Sequence, residues 1–223
     1  MNKEKYISIL KSYKDCKKCN LCVTRTKMAM GKGNPKPIVM FIGIGPGYDE
    51  DLSGLPFTGP AGRCLHQLIN IYGIDSNICG FTNIVACRPY TMYNGIKKDR
   101  DPTEEEANAC SARLQALLRL SNPSVIVLLG KYTATRILDL DLPESSIKMA
   151  DLVDVYFSDK WKCLINKPIY VTYHPSYIIR NIGRDTSIEN LKRYIRDSLP
   201  FAHTTWLTLS HVIKKEKEIR DLL

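Results

Sequence analysis

No apolar run in this chain of 223 residues approaches the roughly 20 residues needed to cross a bilayer. The first stretch, MNKEKYISILKSYKDC, has no signal-peptide core either, because charges interrupt every apolar group. Neither an internal repeat nor a low-complexity linker divides the sequence. The GxGxxG turn of dinucleotide-binding folds is missing, since Gly43 and Gly45 are followed by Tyr48 where the third glycine would stand. There is no phosphate-loop lysine, which disfavours nucleoside triphosphate binding as well. These absences leave a cytoplasmic globular protein with no membrane partner as the expectation, and its length suits one main domain.

Acid is scarce relative to base. The chain carries 32 Lys+Arg against 23 Asp+Glu, a net charge of +9, which favours a polyanionic partner, above all nucleic acid. A well-solvated surface is the plainer alternative. Cysteine is plentiful by contrast, at eight residues. Without a secretory leader a disulfide framework is not expected, so clustered thiols point to metal. Cys16-x-x-Cys19 is such a pair, Cys22 extends it, and Cys87 and Cys110 lie far off in sequence. Four thiolates of that spacing suit a zinc site or a [4Fe–4S] cluster, and spacing does not separate the two. Cys64, Cys79 and Cys163 stand singly among apolar neighbours and read as buried small hydrophobes.

Apolar runs at 38–42, 78–85, 125–129 and 169–173 read as buried strands. Helical patterns lie at about 2–14, 61–73, 103–120, 131–140 and 186–198, with Thr103 placed to cap the third. Strands alternating with helices predict an α/β fold, a three-layer αβα sandwich around a mainly parallel four-stranded sheet. The segment 90–101, YTMYNGIKKDRD, reads as a long basic loop, and the tail from about His203 as an exposed helix.

Ligands of such folds bind at the carboxyl ends of strands, and the chemically suggestive residues fall there. The first strand empties into GIGPGYDEDLSGLPFTGPAG, residues 43–62, a Gly/Pro-rich, acid-studded loop closed by a helix N-terminus. It carries Phe57, read as an exposed ring suited to stacking. Asn83 ends the second strand with a donor and an acceptor for a base edge, and His174 follows the last strand, fixed by Pro175. Taken singly, these residues read as readily as core, cap or loop positions.

The motifs CKKCNLC with Arg25, GKGNP, the loop 43–62, TNIVACRP, the helix bearing Cys110, VLLG and HPSYIIR come in an order that resembles the uracil-DNA glycosylase superfamily, in its iron–sulfur family 4 branch. The resemblance covers roughly residues 10–198. It implies a DNA glycosylase domain over 1–200 with an N-terminal cluster-binding arm; residues 201–223 read as a helical extension, the absence of a lysine from 43–62 as a monofunctional enzyme, and a monomer is expected. The resemblance implies a [4Fe–4S] cluster on Cys16, Cys19, Cys87 and Cys110, with Cys22 outside the ligand set. It implies that a base flips into the cleft, where Phe57 stacks on it, Asn83 reads its edge and Gly45 offers backbone contact. Glu50 would line the pocket beside the pyrimidine 5-position, and His174 would stabilise charge on the base O2. Ser176 and helix termini would hold phosphates, while Tyr177, Ile178 and Arg180 would press into the duplex.

Two departures stand out. The family writes the loop G-E-x-P-G, or with Asp, and that acid positions the attacking water; here the position is Ile44. Losing a positioned general base costs about 10²–10⁴-fold in rate. The enzyme is then slow on uracil, or Asp49, Glu50 or Asp51 has taken over the water, or the pocket is rebuilt for another base. Retention of Phe57, Asn83 and His174 favours the last, with a bulky modified pyrimidine such as the hydroxymethylated or glucosylated bases of some phage genomes, and hence antiphage defence beside DNA repair. A protein that binds DNA or senses damage without catalysis is the rival reading. The second departure is the long Cys87–Cys110 spacing, which the basic 90–101 segment fills. It holds no histidine for a covalent link to DNA, and Lys97, Lys98 and Arg100 are placed to contact the DNA backbone or a base substituent.

Overall fold

The computed structural model describes residues 3–138, 161 and 167–222. In chain order the described elements are α1 (Lys3–Ser12), α2 (Leu21–Thr24), β1 (Lys32–Gly33), β2 (Val39–Gly43), α3 (Tyr48–Ser53), α4 (Pro60–Ile71), a 3₁₀ turn at Ser76–Ile78, β3 (Cys79–Asn83), β4 (Tyr90–Tyr93), β5 (Ile96–Asp99), α5 (Glu104–Ser121), β6 (Val125–Leu129), α6 (Lys131–Leu138), β7 (Ile169–Thr172), α7 (Pro175–Asn181), α8 (Ile188–Ser198) and α9 (Pro200–Asp221). The expected helix over 131–140 runs past the described residues, and Cys163 lies outside them.

The main sheet has the order β1-β3-β2-β6-β7, with β3, β2, β6 and β7 mutually parallel. Four parallel strands were expected, and the fifth is the two-residue β1, which pairs antiparallel with β3 at the edge. So short a run carries no periodicity for a sequence reading to find. Strands β2, β3 and β6 are buried at every position, as a sheet covered on both faces requires. Met40, Ile42, Ile126 and Leu128 face one core, with Leu114 and Leu117 of α5. Val39, Phe41, Val125 and Val127 face the other, with Leu65 and Leu68 of α4. That alternation is the two-residue period of the strand, and it gives the αβα sandwich.

Two peripheral readings are corrected. Segment 90–101 is not a loop: β4 and β5 form a separate two-stranded antiparallel ribbon, turned by Asn94 and Gly95 at φ 49° and 76°. Two consecutive left-handed residues are what a tight two-residue hairpin needs. The tail is not a wholly exposed helix. Trp206, Leu209 and Ile213 of α9 are at most 2% exposed and belong to the second core. Trp206 stacks on Phe41 at 6.0 Å and on Tyr72 at 5.5 Å, while Ser210 donates to the Tyr72 carbonyl. The polar run KKEKE hides this apolar face in a linear reading. Among the described residues no helix is long and apolar enough to cross a membrane.

Candidate active site

The carboxyl ends of β2, β3, β6 and β7 open into one cavity of about 1300 Å³. β2 delivers Ile44 and the turn to α3, and β3 delivers Asn83. β6 delivers Gly130 and Lys131, and β7 delivers Tyr173 and His174, all on the cavity wall. Phe57 comes from the connection between α3 and α4.

Asn83 is 3% exposed. Its carboxamide faces the cavity with no hydrogen-bond partner among the described residues, although its main chain is tightly held. Arg113 of α5, itself buried, donates to the carbonyls of Asn83 and Ile84, to the Met30 carbonyl and to Thr82 Oγ1. No carboxylate pairs with this guanidinium among the described residues. Gly43, opposite Asn83 in the ladder, has room for neither methyl nor larger group: a Cβ there would meet Asn83 Oδ1 at 2.6 Å and Phe57 Cζ at 2.7 Å. Glycine lets the amide and the ring meet over bare backbone.

Phe57 is buried rather than exposed, at 6%, with its ring tilted against Phe81 and lining the cavity. Its φ of 56° is unusual for a residue with a side chain. Strain of this kind persists only where the surroundings over-determine it, and here α4 packs directly beneath. A Cβ on Gly62 would fall 2.1 Å from the Phe57 carbonyl oxygen.

Three acids crowd the same loop and have different tasks. Glu50 accepts from the Gly47 N–H at 3.1 Å with Oε2, and from the Thr58 and Gly59 N–H groups at 2.9 and 2.7 Å with Oε1. It therefore ties the two ends of the cradle together, with both oxygens engaged. Asp51 accepts from the Thr26 N–H at 2.9 Å. Asp49 lines the cavity, and its carboxylate makes no hydrogen bond among the described residues. Ile44 is half-buried and packs against the first core.

His174 caps α7. Its Nδ1 accepts from the Ser176 N–H at 3.2 Å and lies 2.7 Å from Ser176 Oγ. A backbone N–H only donates, so Nδ1 is the bare nitrogen and the neutral ring carries its proton on Nε2. Enclosure by protein pushes its pKa down to about 4, with Arg180 adding to the effect. The ring is thus a neutral donor at physiological pH. On α7, Tyr177 is exposed and stacks on Tyr173 at 5.1 Å, and Arg180 is exposed on the cavity rim. Ile178 corrects the expectation: it is 0% exposed and packs into the second core, because that side of the helix turns to the sheet. Its side chain does not face a duplex.

Cys16, Cys19, Cys87 and Cys110 come together around a second, small cavity of about 20 Å³, which Cys22 and Arg25 also line. Arg25 donates to the Cys16 carbonyl at 2.8 Å and to Cys87 Sγ at 3.5 Å. Burial pushes the Cys87 thiol up to about 11, against the pull of Arg25. Among the described residues no three Cys, His, Asp or Glu side chains are placed to hold a single metal ion. Cys64 and Cys79 are buried in the second core, as expected of small hydrophobes.

Sequence reasoning missed Arg113, which sits in an ordinary helical pattern, and the wall supplied by Gly130 and Lys131. The VLLGK run, a buried strand ending in glycine before a helix, carried a signal for the latter.

A parallel sheet with a wide cavity at its carboxyl edge, an aromatic wall and a neutral histidine donor defines an α/β enzyme built to hold a flat polar ring. The family model described as Uracil DNA glycosylase superfamily matches residues 30–199. The Type-4 uracil-DNA glycosylase of Archaeoglobus fulgidus is 34% identical over 77% of this chain and 81% of its own length. Those of Sulfurisphaera tokodaii and Thermotoga maritima are 35% and 33% identical, each over 82% of this chain and over 79% and 91% of their own. The chain belongs to the uracil-DNA glycosylase superfamily, and it is a hydrolytic DNA N-glycosylase.

Proposed function

We propose that this protein flips a single pyrimidine out of DNA into the cavity and hydrolyses its N-glycosidic bond, leaving an abasic site. Uracil is the base that the relatives' names give. A pyrimidine with a bulky 5-substituent, such as hydroxymethylated or glucosylated cytosine, is the further substrate that Ile44 and the wide cavity favour, with antiphage defence as the matching role. The observation that carries the reading is Asn83, a buried carboxamide aimed into the cavity without a protein partner. Once a ligand fills the cavity and excludes water this amide needs a partner, and a base edge supplies one. Since no neighbour fixes its orientation, the amide can present donor and acceptor in either order, one matching uracil and the other cytosine.

The chemistry follows from the placement of groups. The base stacks on Phe57, whose strained backbone cannot swing away from α4. As the C1′–N1 bond breaks, electrons pass to the base, and the Nε2–H of His174 stabilises the charge on O2; such a donor is worth several kcal/mol. Water adds its oxygen to C1′ and releases a proton. Ile44 cannot receive that proton, and Glu50 and Asp51 are held by backbone N–H groups. Asp49 is the acid of this loop left free to orient the water and take up that proton. Tyr177, Arg180 and the α7 N-terminus at Ser176 support DNA contact on the rim. One chain supplies every residue of this site, which supports action as a monomer, and unpaired thiols suit a cytoplasmic setting.

The residues of the second cavity fit a [4Fe–4S] cluster. Cys16, Cys19, Cys87 and Cys110 would hold it, with Arg25 offsetting the thiolate charge. Thiols that share a cavity without any trio converging on one point suit a polynuclear cluster better than zinc, whose bonds to sulfur are only about 2.3 Å, and the family resemblance leaves Cys22, which also lines it, outside the ligand set. The group would fasten the N-terminal arm to the sheet, a structural task.

Single-turnover assays on oligonucleotides with uracil, 5-hydroxymethylcytosine or its glucosylated form test the function, with abasic sites as the readout. Abasic sites are expected in at least one substituted-cytosine substrate, and abasic sites on uracil alone overturn the modified-base reading. With the active substrate, Asp49→Asn lowers the rate about 10²–10⁴-fold, and adding Ile44→Glu to that variant recovers part of it. Tight binding with no product from any substrate gives the DNA-sensing reading instead.

A further inference from the structure

The β4–β5 ribbon is built as a rigid projection with an apolar end. Its base is clamped: Arg88, 4% exposed, lies between the Tyr48 and Tyr90 rings at 5.3 Å from each and pairs with Asp99 at 2.6 Å. Arg100, just past the ribbon, forms two bonds of 2.7 Å to Glu106 of α5, and its N–H donates to the Pro89 carbonyl. Pro89, Asp99, Arg100 and Asp101 also form part of the base cavity wall. A two-stranded hairpin is marginal alone, so this anchoring is what gives the tip a fixed position.

The tip is what a stable surface loop would avoid. Met92, Tyr93 and Ile96 are 60%, 67% and 71% exposed, and Tyr93 pairs directly with Ile96 across the strands. With a two-residue period, Thr91, Tyr93, Ile96 and Lys98 share one face, and all four are exposed. Single exposed apolar residues need no explanation, but three at one projecting end mark a contact surface. The neighbouring charges are Lys98 on that face and, on the other, Lys97, seated 4.6 Å over the Tyr90 ring, and Asp99, taken up by Arg88. Sheet order fixes the side of the cavity on which each element lies. The ribbon follows β3 and α7 follows β7, and β2 and β6 lie between those strands. Ribbon and α7 therefore flank the base cavity from its two sides.

We infer that the β4–β5 ribbon is a second DNA-engaging wedge, whose Tyr93–Ile96 face packs into the duplex beside the flipped nucleotide while Lys97 and Lys98 meet the phosphates. A two-stranded ribbon fits a DNA groove, and apolar wedges between base steps hold DNA bent and a base displaced. Continuity with the base cavity, and a lysine on each face of the ribbon, select DNA over a protein partner. The inference rests on the DNA glycosylase reading and deepens it, because it makes opening of the duplex a task shared by two elements.

The test uses the full chain and the double substitution Tyr93→Ser, Ile96→Ser. Neither residue lines the cavity or packs in the core, and a circular dichroism melt checks that the fold is unchanged. Binding to a duplex holding an abasic-site analogue, with 2-aminopurine next to it, is measured beside excision from single-stranded and duplex DNA of the same sequence. The variant is expected to lose about tenfold or more in duplex affinity, the loss of about one stacked base contact. Its 2-aminopurine signal on binding changes, and its excision falls on duplex but not on single strands. Unchanged duplex affinity and an unchanged ratio of duplex to single-strand rates overturn the wedge. Absence of excision by the unsubstituted protein on any DNA fails the catalytic reading instead, and the binding and fluorescence arms still decide the wedge.

Discussion

His174 shows how one backbone N–H sets the chemistry of a side chain. Ser176 fixes the tautomer, and enclosure holds the ring neutral, with its pKa near 4 against about 6.5 for a free histidine. The sign of the linkage is that of a base made harder to protonate on folding. The stabilisation of the native state by keeping His174 neutral is complete above about pH 6.5 and is lost as pH falls from there towards 4. Single-turnover excision should therefore stay level from pH 8 to about 5 on the histidine's account, and the His174 ring proton signal should titrate near 4. An acid limb centred at 6.5 in both would show that the ring is solvated and not held neutral by the fold. At this scale the sequence told residue types well and environments poorly. Asn83, Phe57 and His174 converge on one cavity as expected. The burial of Phe57, the inward turn of Ile178 and the engagement of Glu50 depend on partners distant in sequence, or on helix phase within a short segment.

Elements were legible where local pattern and tertiary environment agree. Strand β6 matches its apolar run residue for residue and β2 within one, because a strand buried on both faces must be apolar throughout, and the half-buried edge strand β7 also matches within one. The α5 start was legible because the cap is local: Thr103 Oγ1 accepts from the Glu106 N–H, and Glu106 accepts from the Thr103 N–H. The ribbon and α9 were not. The Asn94-Gly95 turn is a recognised hairpin signal, but its flanks lack the alternation that marks a half-buried strand. Helix α9 buries a sparse stripe beneath a charged sequence. Trp206→Ala should consequently cost about 3–5 kcal/mol in urea unfolding, as loss of a fully buried large ring does. Leu207→Ala, on the exposed side of the same helix, should cost under about 0.5 kcal/mol. Equal, small effects would mean that the tail does not belong to the folded unit.

The whole molecule divides its labour between two ends of chemistry. The thiol cavity joins the segment around α2 to the start of α5 and the stretch after β3, while the base cavity gathers the strand ends. On the proposed cluster assignment, Cys16→Ser should remove iron, acid-labile sulfide and the visible absorbance, and lower the melting temperature. The rate constant for DNA already bound should change far less, because no residue of the thiol set lines the base cavity. A collapse of that rate constant in a protein that still melts cooperatively would put the cluster in the chemistry.

The guanidinium of Arg113 has a consequence for the field inside the protein. It is bonded to the Asn83 carbonyl and to three other neutral oxygens, and no carboxylate pairs with it among the described residues. A full positive charge consequently lies behind the main chain that carries Asn83, where low dielectric gives it long reach. Such a charge favours any leaving group that departs as an anion, irrespective of the substituents on its ring. On the proposed reading the scaffold would keep a general electrostatic bias towards cleavage, whichever ring the residues around Ile44 admit.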